Sequence, residues 1–181
     1  GGKVAGLEAA AKRVRADRDY FLLAYPFPAL AKGLDDLHKT LAGSDGTIEA
    51  FKKMAPDSKK GGACLENPSS PLFGACLFAS TAYLNRHYAL LRELTEIQAK
   101  VSRDGRPHYD ALRSRCAQKR VILKYSRTEL DPRWKKDCAA QQRLYDGLYG
   151  RSGALAGLDK ARRGIAPGPW EAPGFPQQAM Q

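Results

Sequence analysis

Apolar residues recur at steps of three and four through most of the chain, the spacing that gathers side chains on one side of an α-helix. Val4, Leu7, Ala11 and Val14 form the first such stripe, with Lys12, Arg13 and Arg15 opposite, and predict a short amphipathic helix over residues 3–17. Leu30, Leu34, Leu37 and Leu41 form a second, which begins with Pro28 in a first-turn position and closes at Gly43. Ile48, Phe51 and Met54 mark a third, over residues 45–54. Between the first two lies the aromatic stretch from Tyr20 to Phe27. Pro26 and Pro28 remove donors there and push their predecessors toward extended geometry, so the expectation is a segment that crosses a surface instead of continuing a helix.

Pro56 to Gly62 is a polar, lysine-bearing linker and reads as a boundary. Helical spacing resumes at Leu77, with Leu84, Leu91, Leu94, Ile97 and Val101 on a broad face, and Asp104-Gly105-Arg106-Pro107 reads as the turn that stops it. A further helix follows, carrying Tyr109, Leu112, Cys116 and Leu123, and a second turn falls at Thr128 to Asp131. The last core helix carries Trp134, Cys138, Tyr145 and Leu148. After Gly150 one short helix over 152–163 precedes a Pro-rich tail in which Trp170 and Phe175 stand between prolines. The pattern therefore predicts an all-α chain in three parts: N-terminal amphipathic helices over 1–61, a cysteine-bearing antiparallel helical hairpin over 62–150, and an extended tail over 151–181.

Composition changes this picture at two points. The 181 residues suffice for one modest core, and a formal net charge of +11 favours anionic partners without naming one. Basic residues occur along nearly every segment and form no block interleaved with aromatics, which argues against nucleic-acid recognition and is compatible with contact to anionic lipid. The longest apolar run, Tyr20 to Ala31, is broken by two prolines and falls short of the roughly 20 residues that span a bilayer, so no transmembrane helix is expected. The chain opens at Gly1 without a charged-then-apolar leader, so any targeting segment would have been removed or lie outside it. Asn67 is followed by Pro68, and no Asn-x-Ser/Thr acceptor occurs, which disfavours the eukaryotic secretory route.

The four cysteines, Cys64, Cys76, Cys116 and Cys138, carry the sharpest chemical reading. They lack the close-spaced pairs that set two thiolates on one zinc ion, which leaves disulfides in an oxidising compartment, or reduced thiols buried as small hydrophobes. Cys116 and Cys138 each sit on the apolar stripe of their helix, at comparable distances either side of the turn, so they can face each other when the hairpin closes. Cys64 with Cys76 is the favoured second pair, and the nested connectivity stays open. His38, His87 and His108 have no second ligand or thiolate-stabilising pocket at motif spacing, and no GxSxG, HExxH, CxxC or phosphate-binding glycine loop is present. The expectation is a protein with no catalytic, cofactor-binding or metal site.

The flanks of the cysteines resemble the PDSW subunit family of mitochondrial respiratory complex I, the beta-subcomplex subunit 10 type. The similar residues are the aromatic approach Tyr20 to Phe27, the loop Cys64 to Cys76 leading into Leu77-Phe78-Ala79, then Leu112-Arg113-Ser114-Arg115-Cys116, and Trp134-Lys135-Lys136-Asp137-Cys138 leading to Arg143-Leu144-Tyr145-Asp146. This resemblance implies a non-catalytic accessory subunit, oxidised on the intermembrane-space side of the inner membrane, that braces neighbouring membrane subunits and holds no flavin, iron–sulfur cluster or quinone. Its N-terminal helices and tail would extend over those neighbours. A different class, a bacterial periplasmic helical binding protein of lysozyme-inhibitor type, is suggested by Leu84-Asn85-Arg86-His87-Tyr88 followed by a later cysteine, but its basic charge is wrong for docking a basic lysozyme. A secreted basic toxin or nuclease would need an acid/base constellation that the residues do not offer.

Overall fold

A computed structural model describes residues 2–54, 68–126 and 132–165, and every regular element in them is helical. Helix α1 (Gly2–Asp19) runs directly into a π turn (Tyr20–Ala24), followed by α2 (Pro28–Ala42) and a short α3 (47–54). Helix α4 spans Phe73–Ser126. It is followed by α5 (Pro132–Leu144), a second π turn (Tyr145–Tyr149) and α6 (Ala154–Gly164).

The predicted stripes are the buried ones. Leu7 and Val14 of α1, and Leu34, Leu37 and Leu41 of α2, are fully enclosed, because residues three and four apart share a helix face and that face meets another helix. α1 packs on α2 along one side and on α6 along the other, and α2 and α5 both pack on α4. Gly6 permits the α1–α6 approach: a Cβ there would lie 3.0 Å from the Cβ of Ala161. One hydrophobic cluster contains Val4, Leu34, Leu94, Leu112, Leu144 and Leu158, so described residues from all three predicted parts share a core. The N-terminal helices therefore spend their apolar faces inside the chain instead of reaching outward with them.

Two predicted interruptions are absent. The turn expected at Asp104-Gly105-Arg106-Pro107 lies inside α4, which is continuous for 54 residues, about 80 Å at 1.5 Å per residue. Gly105 serves close packing there: a Cβ would stand 2.7 Å from Leu148 Cδ2 and 3.1 Å from the Tyr149 hydroxyl. Pro107 is exposed, and in the turn before it the Ser102 carbonyl accepts a hydrogen bond from Tyr149 Oη at 2.7 Å, a donor from outside the helix where proline weakens the helix's own bonding. The hairpin is accordingly α4 against α5, with one long arm and one short. Likewise Tyr20–Ala24 prolongs α1, with Tyr25 N–H bonded five residues back to the Tyr20 carbonyl at 3.0 Å and Phe21 wholly buried. Proline ends that helix only at Tyr25. The predicted linker from Pro56, the loop after Cys64, the turn at Thr128–Asp131 and the tail from Pro167 lie outside the described residues, wholly or for the most part.

Candidate functional site

Cys116 and Cys138 are joined by a disulfide across α4 and α5, their Cα atoms 5.4 Å apart. Trp134, one turn before Cys138, donates its indole N–H to the Cys116 carbonyl at 3.4 Å and closes the same corner. Cys76, on the first turns of α4, is disulfide-bonded as well, while Cys64 lies outside the described residues. Cys76, Cys116 and Cys138 therefore offer neither a nucleophilic thiolate nor a metal-binding one.

The histidines lie apart from these sulfurs and from one another. His87, 1 % exposed, packs among the rings of Phe51, Tyr83 and Tyr88, with centroids 5.0 to 6.3 Å away. His108 stacks on Phe27 at 4.2 Å. His38 is half-buried on α2, and partial burial, then the positive charges of Arg18 and Arg15, hold its pKa below the usual imidazole range. Among the described residues, no three His, Cys, Asp or Glu side chains come together as a metal ion would require, and no helix is long and apolar enough to cross a membrane.

What the sequence did not disclose is a polar joint where α1 meets α5. Asp17 is buried and accepts a hydrogen bond from Arg143 Nε at 2.6 Å, across 126 residues of sequence. The Arg143 guanidinium also lies 5.3 Å from the Tyr20 ring centroid, and Arg13 donates to the Ser152 carbonyl nearby. Gly147, in the second π turn, lets the carboxylate in, since a Cβ there would fall 2.6 Å from Asp17 Oδ2. Burial raises the Asp17 pKa, more than the attraction and hydrogen bond of Arg143 lower it. One layer further along, Tyr25 donates its hydroxyl to Asp137, which also pairs with Arg115 at 3.5 Å. Burial likewise pushes the Tyr149 hydroxyl to about 12. These contacts clamp helix to helix around enclosed polar atoms.

Large apolar side chains are exposed in the first π turn, at Leu22 and Leu23, and at the start of α4; the two ends of α4 differ in charge as well. At its start the sequence from Asn67 to Asn85 contains no charged residue for 19 positions. Leu72 there is 67 % exposed and Phe78 is 79 % exposed, with Ala75 and Ala79 exposed beside them. At its far end, beyond Leu112, basic side chains take over: Arg113, Arg115, Lys135 and Lys136 are all exposed. Both features are visible in the sequence once α4 is known to be a single rod. Comparison with family models, curated proteins and solved structures finds no match to this chain.

Proposed function

We propose that this chain is a non-catalytic structural subunit of a larger membrane-associated assembly in an oxidising compartment. The observation that carries the reading is the uncharged, exposed start of α4. In a chain with 27 % charged residues, Leu72 and Phe78 stand in water on a stretch that offers no charge for 19 positions, as surfaces covered by another protein do. The disulfides support the compartment. The clamped polar joint supports rigidity in place of turnover. The narrower form, an accessory subunit of PDSW type bracing the membrane arm of mitochondrial complex I from the intermembrane space, is supported by the residue resemblance alone.

The test is native electrophoresis of membranes carrying the tagged chain. The expected result is co-migration with a large complex, and with NADH dehydrogenase staining in the narrower form. Phe78→Glu should release the chain to low mass without unfolding it, because Phe78 contributes no core packing. Recovery of the unaltered chain from its native membranes as a folded monomer would overturn the reading.

A further inference from the structure

The tip where α1 turns into α2 is anchored on its inner side and bare on its outer side. Phe21 is wholly buried in the π turn and stacks on Phe27 at 5.9 Å, and Phe27 stacks in turn on His108 of α4 at 4.2 Å. The amides of Tyr25 and Phe27 bond back to the carbonyls of Tyr20 and Phe21 at 3.0 and 2.9 Å, which closes the backbone of the tip on itself. On the outer side Leu22 is 56 % exposed and Leu23 79 %, with Ala24, Pro26, Pro28 and Ala29 exposed after them, and no charged residue occurs between Asp19 and Lys32. A leucine pair held out by a turn this firmly seated is not the fraying of a chain end. π turns are rare and gather at functional sites, and this one carries both leucines.

The charges around the tip favour an anionic partner. Tyr25 donates its hydroxyl to Asp137 of α5, and Arg115 of α4 lies within 3.5 Å of both. That contact takes up Asp137 and leaves its neighbours Lys135 and Lys136 exposed. Lys32 is exposed on α2, just past the apolar run, with Asp36 following one turn later. The other nearby acids are already paired: Asp19 with Arg18 at 2.8 Å, Asp35 with Arg18 and Lys39 at 2.7 Å, and Asp110 with Arg106 at 3.3 Å.

We propose that the α1–α2 tip is a docking surface for an anionic lipid bilayer, with Leu22 and Leu23 entering between headgroups and Lys32, Arg115, Lys135 and Lys136 supplying the attraction. Adjacent positions on a helical turn point roughly a quarter turn apart, so the two leucines diverge from a convex tip. Fluid acyl chains close around such a shape without a matching surface, whereas a protein has to be shaped to it, and basic neighbours suit the phosphates of the headgroups. A nucleic acid offers the phosphates and no medium in which a leucine is buried, which decides between the two kinds of polyanion. The tip packs beside His108, thirty residues along α4 from Phe78, or about 45 Å at 1.5 Å per residue. This contact is therefore separate from the one offered at the start of α4, and the structural-subunit reading does not depend on it.

The experiment is flotation of the oxidised full chain with vesicles of phosphatidylcholine alone and of phosphatidylcholine with phosphatidylglycerol, at low and at high salt. Binding is expected only with the anionic vesicles and should weaken as salt rises. Leu22→Ser with Leu23→Ser should weaken it at least about tenfold, through the apolar area no longer withdrawn from water. Leu72→Ser with Phe78→Ser removes apolar area of the same kind at the start of α4 and should change it less than about twofold. An environment-sensitive dye on Leu23→Cys should shift to the blue on addition of anionic vesicles, and the same dye on Phe78→Cys should not. Thermal melting of each variant checks that the fold is kept. Equal binding to neutral vesicles, undiminished binding after Leu22→Ser with Leu23→Ser, equal loss in both serine pairs, no shift of the dye at position 23, or tighter binding to double-stranded DNA than to anionic vesicles at the same salt would each overturn the proposal. None of these outcomes touches the subunit reading, which stands or falls on co-migration.

Discussion

The two ends of α4 are made of the same helix and do opposite things. The first, from Phe73, carries Phe78 exposed and no charge. The last, beyond Leu112, is basic and has α5 laid against it. Between them Leu84, Leu94, Val101 and Leu112 are buried. Each end runs past the main core, and each carries a cystine, at Cys76 and at Cys116. The lesson is that covalent bonds have been placed where burial can no longer hold the chain, because outside a core a few kcal/mol of cross-link replaces packing that is not there. The middle supplies stability, and the ends are left free to present surfaces.

Substitutions can break or sharpen that contrast. The largest expected effect is in the middle: Leu112→Ala should cost about 4 kcal/mol, the usual penalty for emptying a buried leucine site, read by urea denaturation. Cys116→Ser with Cys138→Ser should cost about 3 kcal/mol on the same assay, given the 22-residue separation, and proteolysis of that variant should begin at the hairpin end. If α4 were cut first near Gly105, the division into stable middle and stapled ends would fail. Gly105→Ala should cost about 2 kcal/mol, since the added methyl meets Leu148 and Tyr149 at close range.

Acidity tests the joint beside this middle. Burial raises the Asp17 pKa, so its contribution to stability is full below the unfolded carboxylate value of 3.8 and is lost as pH climbs through the raised value. Asp17→Asn should remove that dependence from a series of melting temperatures. Asp35 works in the opposite sense. Hydrogen bonds from Lys39 and Arg18 lower its pKa, so it stabilises above 3.8 and loses this as pH falls through the lowered value. Asp35→Asn should therefore flatten the acid limb that Asp17→Asn leaves in place. The smallest change belongs to the apolar end: Phe78→Ser should alter the stability of the isolated chain by less than about 0.5 kcal/mol.

The helical stripes of α1, α2 and α3 were legible because burial repeats on the helical period, and the Cys116–Cys138 pair was legible because both residues lie on such stripes. The continuity of α4 was not. Gly105 and Pro107 are the local signature of a turn, and only the approach of Leu148 and Tyr149 from another helix explains a glycine in mid-rod. Tyr20–Ala24 misled for a related reason: its prolines end the helix a few residues later than local rules suggest, once Phe21 is held in the core. Asp17 reads as one more charged residue in a basic segment. Its partner stands 126 residues away, and no spacing rule connects them.

The two π turns carry a last implication, for the length of the chain. In each, an amide bonds five residues back instead of four, Tyr25 to Tyr20 and Gly150 to Tyr145, so each turn stores one residue beyond what an α-helix needs. A single deletion at an exposed position of these turns, such as Leu23 or Asp146, should be absorbed by reversion to ordinary α geometry. The same deletion inside α2 would swing its leucines by about 100° relative to one another and pull part of the row away from its neighbours. Gaps and insertions among related chains should accordingly collect at these two turns.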